Sequence, residues 1–171
     1  MSKQIQVVTD CNGAKFKAIK KIFDRHFKHV EMKYVEPVKM QTPIASTDLT
    51  FSIKKRLHGL TKDWVFTNKR TYFCTIQRGY FFDGNCWFLN AAVTILDPDG
   101  KQARNFTSSI QIESSVSQAK NQYRDKTMRS LLYEKFPTWK ADTSVYTLHT
   151  KEPEEAWFEK PLDHCLTYLS L

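Results

Sequence analysis

Within Val8-Thr9-Asp10-Cys11-Asn12-Gly13-Ala14-Lys15-Phe16-Lys17-Ala18-Ile19, an apolar run gives way to a short polar turn and then to helical spacing. Backbone N–H groups at the start of such a helix have no intrahelical acceptor and favour an anion. Lys15, in the first turn, adds a full positive charge. Asn12 offers an amide that can bond a phosphate oxygen or a base edge. The same residues also make an ordinary helix cap, with Asn12 capping and Lys15 solvated.

Other chemistry is thinner. His26, His29, His58, His149 and His164 form no recognisable nucleophile, base or metal constellation. Cys11, Cys74, Cys86 and Cys165 lie singly, without the paired spacing of a zinc site, and read as buried, reduced packing residues. Ser108-Ser109 lacks the G-x-S-x-G turn of a serine hydrolase, and neither common phosphate-loop pattern occurs. Lys17, Lys21, Arg25 and Lys28 share one helix face, which reads as a weak footprint for nucleic acid or as a solvated surface. Phe73, Tyr80 and Phe81 could stack bases, or simply fill a core.

These groups need elements to hold them. Gln4 to Thr9 reads as a strand, and Phe16, Ile19, Phe23 and Phe27 give a helix from Ala14 to about His29. Val30 to Val35 alternates as a strand. Pro37 to Asp48 reads as a loop, with Ser46, Thr47 and Asp48 suited to cap a helix to about His58. Three antiparallel strands follow, about Tyr72 to Phe82, Cys86 to Leu96 and Ala103 to Ile112, turned at Asp83-Gly84 and around Asp97-Pro98-Asp99-Gly100. Ser115 and Gln118 resemble a capping box opening one polar helix that ends before Pro137. Ser144 to Thr150 is expected as a strand. A last helix starts with Pro153, Glu154 and Glu155, and Pro161 either kinks it or marks its start.

The chain is 171 residues, 41% hydrophobic and 13% aromatic, which suits one domain spanning 1–171 and excludes wholesale disorder. Mean hydropathy is −0.51, and no apolar run reaches the ~18 residues of a membrane span. No secretory signal is evident, so a cytoplasmic protein is expected. A net charge of +8 favours anionic partners: nucleotides, nucleic acid or acidic proteins. The element order predicts an α/β fold with a mixed, largely antiparallel curved sheet and flanking helices.

The pattern N-x-x-K-x-x-A-I from Asn12 to Ile19, after a first strand, resembles the opening of the inosine/xanthosine triphosphatases of non-canonical purine nucleotides. Similarity in order continues to about Ile112. Gln41 and Pro43 resemble a V-x-x-Q-P loop. Thr47-Asp48 and Arg56 lie near that family's acidic pair and helical Arg, and Thr75-Ile76-Gln77-Arg78-Gly79 falls at its G-I-E-G-G. Trp87 to Ala91, Asp97 to Gly100 and Thr107-Ser108-Ser109 resemble its W-x-x-x-A, D-x-x-G and Ser-bearing strand.

The resemblance implies an α/β domain with a central cleft, often dimeric, binding a nucleoside triphosphate with a divalent metal. It implies triphosphate contacts from Asn12 and Lys15, a further phosphate contact from Arg56, and Asp48 as the acidic partner of Mg²⁺. Gln77 stands where the family has its glutamate, so Asp48 and Gln77 would be the remnants of the catalytic end. A neutral amide is a poor Mg²⁺ ligand and no general base at pH 7. The expectation is a nucleotide-binding protein with weak or no hydrolysis. The alternatives are a non-catalytic adaptor, sequestering a nucleotide or binding a protein, and a basic nucleic-acid binder.

Overall fold

Val7 and Val8 are both wholly buried although neighbours in a strand point to opposite faces, so the first strand must be covered on both sides. The computed structural model describes residues 4–39, 46–64, 69–140 and 143–171, without the side chains of residues 46–48. Strand β1 (Ile5–Thr9) lies between β2 (Val30–Tyr34) and β3 (Arg70–Phe82), parallel to both. Strand β4 (Trp87–Leu96) is antiparallel to β3, and β5 (Gln102–Phe106) and β6 (Ile110–Gln111) are antiparallel to β4. The sheet order is β2-β1-β3-β4-β5, with β6 beside β4. The fold is therefore mixed α/β, as expected.

One face of the sheet carries helix α1 (Gly13–His26) and helix α6 (Glu154–Leu169), joined to it through a core containing Val7, Ile19, Phe23, Ile76, Phe158 and Leu162. The other face carries α2 (Ser46–Thr61), whose Leu57 and Leu60 pack on Val8 and Phe73. Gly79 permits that close approach, since a Cβ there would sit 3.3 Å from Leu49 Cδ1. Helices α3 (Ser114–Gln122), α4 (Met128–Lys135) and α5 (Val145–Thr150) lie along the chain between β6 and α6.

Four expectations are corrected. Ser144 to Thr150 is helical: the Ser144 hydroxyl accepts from Thr147 N–H at 3.0 Å, and Tyr146 stacks on Trp157 with ring centres 4.7 Å apart. That cap and stacking outweigh the strand preference of Val, Tyr and Thr. The strand expected from Ala103 to Ile112 is interrupted at Thr107–Ser109, where the Ser108 carbonyl accepts from the Trp157 indole at 2.9 Å. The polar helix divides into α3 and α4, and Glu113 rather than Ser115 caps the first, accepting from Val116 N–H at 3.1 Å. Pro161 does not start α6, which runs from Glu154 to Leu169 with the proline inside it.

Candidate functional site

The turn after β1 is built around buried polar groups. Gly13 has a φ of 55°, a conformation that side chains other than glycine's rarely adopt, and it lets the chain enter α1 directly from the strand. Asn12 is extended and exposed, and its side chain makes no capping hydrogen bond. Asp10 points inward. Its Oδ2 accepts from Arg56 Nε at 2.7 Å and its Oδ1 from Thr75 Oγ1 at 2.7 Å.

Arg56 is spent on this network. Its Nη1 donates to the Ile76 carbonyl at 2.7 Å and to Gln77 Oε1 at 2.9 Å. With Asp10 2% and Arg56 9% exposed at the side chain, the pair is a buried, hydrogen-bonded ion pair that ties β1 to α2 and β3. Arg56, expected as a phosphate contact, turns its donors to four protein acceptors: Asp10, the Ile76 carbonyl, Gln77 Oε1 and the Cys11 sulfur, which lies 3.9 Å from Nη2.

Lys15 reaches the same carbonyl, donating to Ile76 O at 3.1 Å. Burial pulls its ammonium down to about 8, and the charges of Arg78 and Arg56 act in the same sense. It remains largely protonated at neutral pH, with N–H donors to spare. Gln77 donates to Arg78 O at 2.9 Å, and Arg78 Nη1 lies 2.9 Å from Glu154 Oε1 at the start of α6.

Lys15, Gln77, Arg78 and Glu154 form part of the wall of a cleft of about 850 Å³. The wall carries six basic side chains, Lys15, Arg78, Lys120, Arg124, Lys126 and Arg129, against Asp125 and Glu154. Tyr80, Trp87 and Trp139 supply aromatic surface, and Arg129 lies over Trp139 with 5.6 Å between guanidinium and ring centre. Such a lining offers charge and stacking to an anionic, ring-bearing ligand.

Of the sequence-derived site residues, Lys15 and Gln77 line this cleft, Asn12 stands on the exposed turn, and Arg56 lies buried behind Gln77. The side chain of Asp48, and Gln41 and Pro43, lie outside the described residues. Glu154, Lys120, Arg129 and Trp139 were not singled out by sequence for the site. Each carries only a local signal, such as the helix-start preference of Glu154, that says nothing of the cleft.

The donor set beside Gln77 does not fit a divalent cation. Its carbonyl oxygen already accepts from a guanidinium, whose charge would repel the ion, and both oxygens of the buried Asp10 already accept, from Arg56 and Thr75. Among the described residues, no three His, Cys, Asp or Glu side chains gather into a possible metal-holding group.

The basic face of α1 meets an acidic row on α6. Lys17 Nζ lies 3.8 Å from Glu155 Oε1, Lys21 Nζ 2.5 Å from Glu159 Oε1, and His26 Nε2 2.7 Å from Asp163 Oδ1. Phe73 is buried edge-on to Trp64, and Phe81 stacks on Phe88, so only Tyr80 of the three proposed stacking residues reaches the cleft. No described helix is long and apolar enough to cross a membrane.

No family model matches the sequence, and no curated protein sequence matches it. Among solved structures, the protein VC0702 from Vibrio cholerae superposes with a TM-score of 0.72, covering 98% of this chain and 96% of that one at 13% identity. At that identity the likeness establishes a shared α/β fold.

Proposed function

We propose that this protein binds a nucleotide in the cleft, with phosphate held at Lys15 in the first turn of α1, and that it hydrolyses the nucleotide weakly or not at all. One observation carries the reading: a single cleft of about 850 Å³ joins six basic side chains to Tyr80, Trp87 and Trp139. Phosphate needs charge-assisted donors, and a base needs an apolar face. Both are offered here.

Weak hydrolysis follows from Gln77. It carries no charge, and its oxygen is held by Arg56 rather than turned to water. Nucleotide capture without turnover is therefore the expected outcome. The nucleic-acid reading has less support, because Lys17 and Lys21, two of its four cations, face Glu155 and Glu159.

Isothermal calorimetry with inosine triphosphate tests the proposal. Lys15→Ala removes a charged donor and should weaken binding by about 1.5–3 kcal/mol while the protein stays folded. Unchanged affinity in the folded variant would remove the Lys15 site.

A further inference from the structure

We propose that the cleft takes a phosphorylated dinucleotide, with one phosphoryl group at Lys15 and Arg78 and the other at Lys120 and Arg124. The proposal rests on the nucleotide reading above and names the class of nucleotide.

The turn between α3 and α4 carries the argument. Lys120 is only 7% exposed. Its Nζ donates to the Arg124 carbonyl at 2.9 Å and to the Lys126 carbonyl at 2.7 Å. An ammonium has three N–H donors, so two carbonyls leave one over. Among the described residues no carboxylate forms an ion pair with it. A buried cation is costly unless it is paired and fully hydrogen-bonded, and this one lies in a cleft wall. A ligand anion would supply both the missing acceptor and the missing charge. Arg124, exposed on the same turn and also lining the cleft, adds a second cation there.

On other elements of the cleft wall, Lys15 of α1 and Arg78 of β3 add positive charge, with Glu154 offsetting part of it. The two basic clusters come from different elements, and Trp87 and Trp139 line the same space. A mononucleoside triphosphate concentrates its charge at one end and presents a neutral base at the other. That base can accept a hydrogen bond but cannot neutralise a buried ammonium. A phosphorylated dinucleotide carries anions at two separated positions and two rings for aromatic surface. The cleft volume lies in the upper part of the ~300–1,000 Å³ typical of ligand sites, which suits the larger ligand.

The test is calorimetry with two probes, 5′-phosphorylated diadenylate and inosine triphosphate, on the parent protein, Arg124→Ala, Lys120→Gln and Lys15→Ala. The dinucleotide should bind about tenfold or more tighter than the mononucleotide. Arg124→Ala should weaken the dinucleotide by about tenfold and the mononucleotide distinctly less, whereas Lys15→Ala should weaken both alike. Lys120→Gln should act like Arg124→Ala. If loss of the buried ammonium unfolds that variant, Arg124→Ala, altered at an exposed side chain, still decides. Mononucleotide binding as tight as the dinucleotide's, or equally weakened by Arg124→Ala, overturns the dinucleotide assignment alone. Failure of both probes to bind overturns it together with the nucleotide reading beneath it.

Discussion

Lys15 is a cation held close to its own titration point. Its ammonium, ordinarily at 10.5, lies at about 8 because burial disfavours the charged form. Between those values the unfolded chain binds more protons at this residue than the folded chain. Its contribution to stability is therefore least favourable below about 8 and is relieved as pH rises above it. A phosphate bound at Lys15 reverses the preference, because it favours the ammonium. Affinity for adenosine triphosphate, whose base does not titrate in this range, should fall as pH is raised from about 7 to about 9. Lys15→Arg, charged throughout, should bind with a flatter profile. Calorimetry across that range checks it, and a flat profile in the parent would separate Lys15 from the ligand.

Gln77 invites the reverse experiment. Its oxygen accepts from Arg56 and its nitrogen donates to Arg78 O. In Gln77→Glu, one oxygen keeps the Arg56 contact, and the other meets a carbonyl with no proton to share. That second oxygen should turn into the cleft that Gln77 lines. The parent should release phosphate from inosine triphosphate very slowly or undetectably, and Gln77→Glu measurably faster, since a placed base is worth about 10²–10⁴ in rate. Brisk turnover by the parent would place the catalytic carboxylate elsewhere. At this scale Lys15 was legible because a lysine in the first helical turn after a strand has a fixed place. Arg56 was visible as a cation but not as the partner of Asp10, because 46 residues separate them.

Elements were legible where one periodicity had no competitor. The three-and-four spacing of α1 became a buried face with Ile19, Ile22 and Phe23, and the alternation in β2 became an edge strand whose Val30 and Met32 pack partly against the same core. The segment from Ser144 to Thr150 had two readings, and the deciding contact, Trp157 against Tyr146, comes from another helix. Likewise, Lys120 reaches the Arg124 and Lys126 carbonyls in the turn where the expected single helix divides. The α1–α6 pairing was hidden in a different way. Glu155, Glu159 and Asp163 repeat every four residues, as do Lys17, Lys21 and Arg25, but neither row names its partner. Lys21→Glu should cost up to about 1 kcal/mol, the scale of an exposed ion pair, and adding Glu159→Lys should restore most of it. Urea unfolding of the single and double variants measures the coupling. Additive losses would mean that the 2.5 Å contact is not energetically coupled in solution.

At the scale of the molecule, the cleft is assembled from segments that lie far apart in the chain. Lys15 comes from α1, Arg78 from β3, Trp87 from β4, Lys120 from α3, Arg129 from α4 and Glu154 from α6. Hydrophobic spacing specifies elements, but not which polar rims will face one another, so Lys15, Gln77 and Tyr80 could be singled out in advance while the α3–α4 side of the cleft could not. The same assembly makes the whole molecule report on binding. A ligand that bridges the sheet and the α3–α4 layer binds the folded state alone and stabilises it by mass action, about 2.7 kcal/mol at a hundredfold excess over Kd. For a domain of this size each kcal/mol moves Tm by about 2–4 °C, so the shift should be roughly 5–10 °C. Because Gln77 and Asp10 are committed to Arg56, and side-chain cations line the cleft, most of that shift should persist when Mg²⁺ is replaced by a chelator. Hydrogen exchange should slow together at the β1–α1 turn and at the α3–α4 turn, which share no secondary structure and would be coupled through the ligand. A shift that requires Mg²⁺ would point to Asp48 and return the metal to the site. Protection confined to the α3–α4 turn would move the ligand away from Lys15.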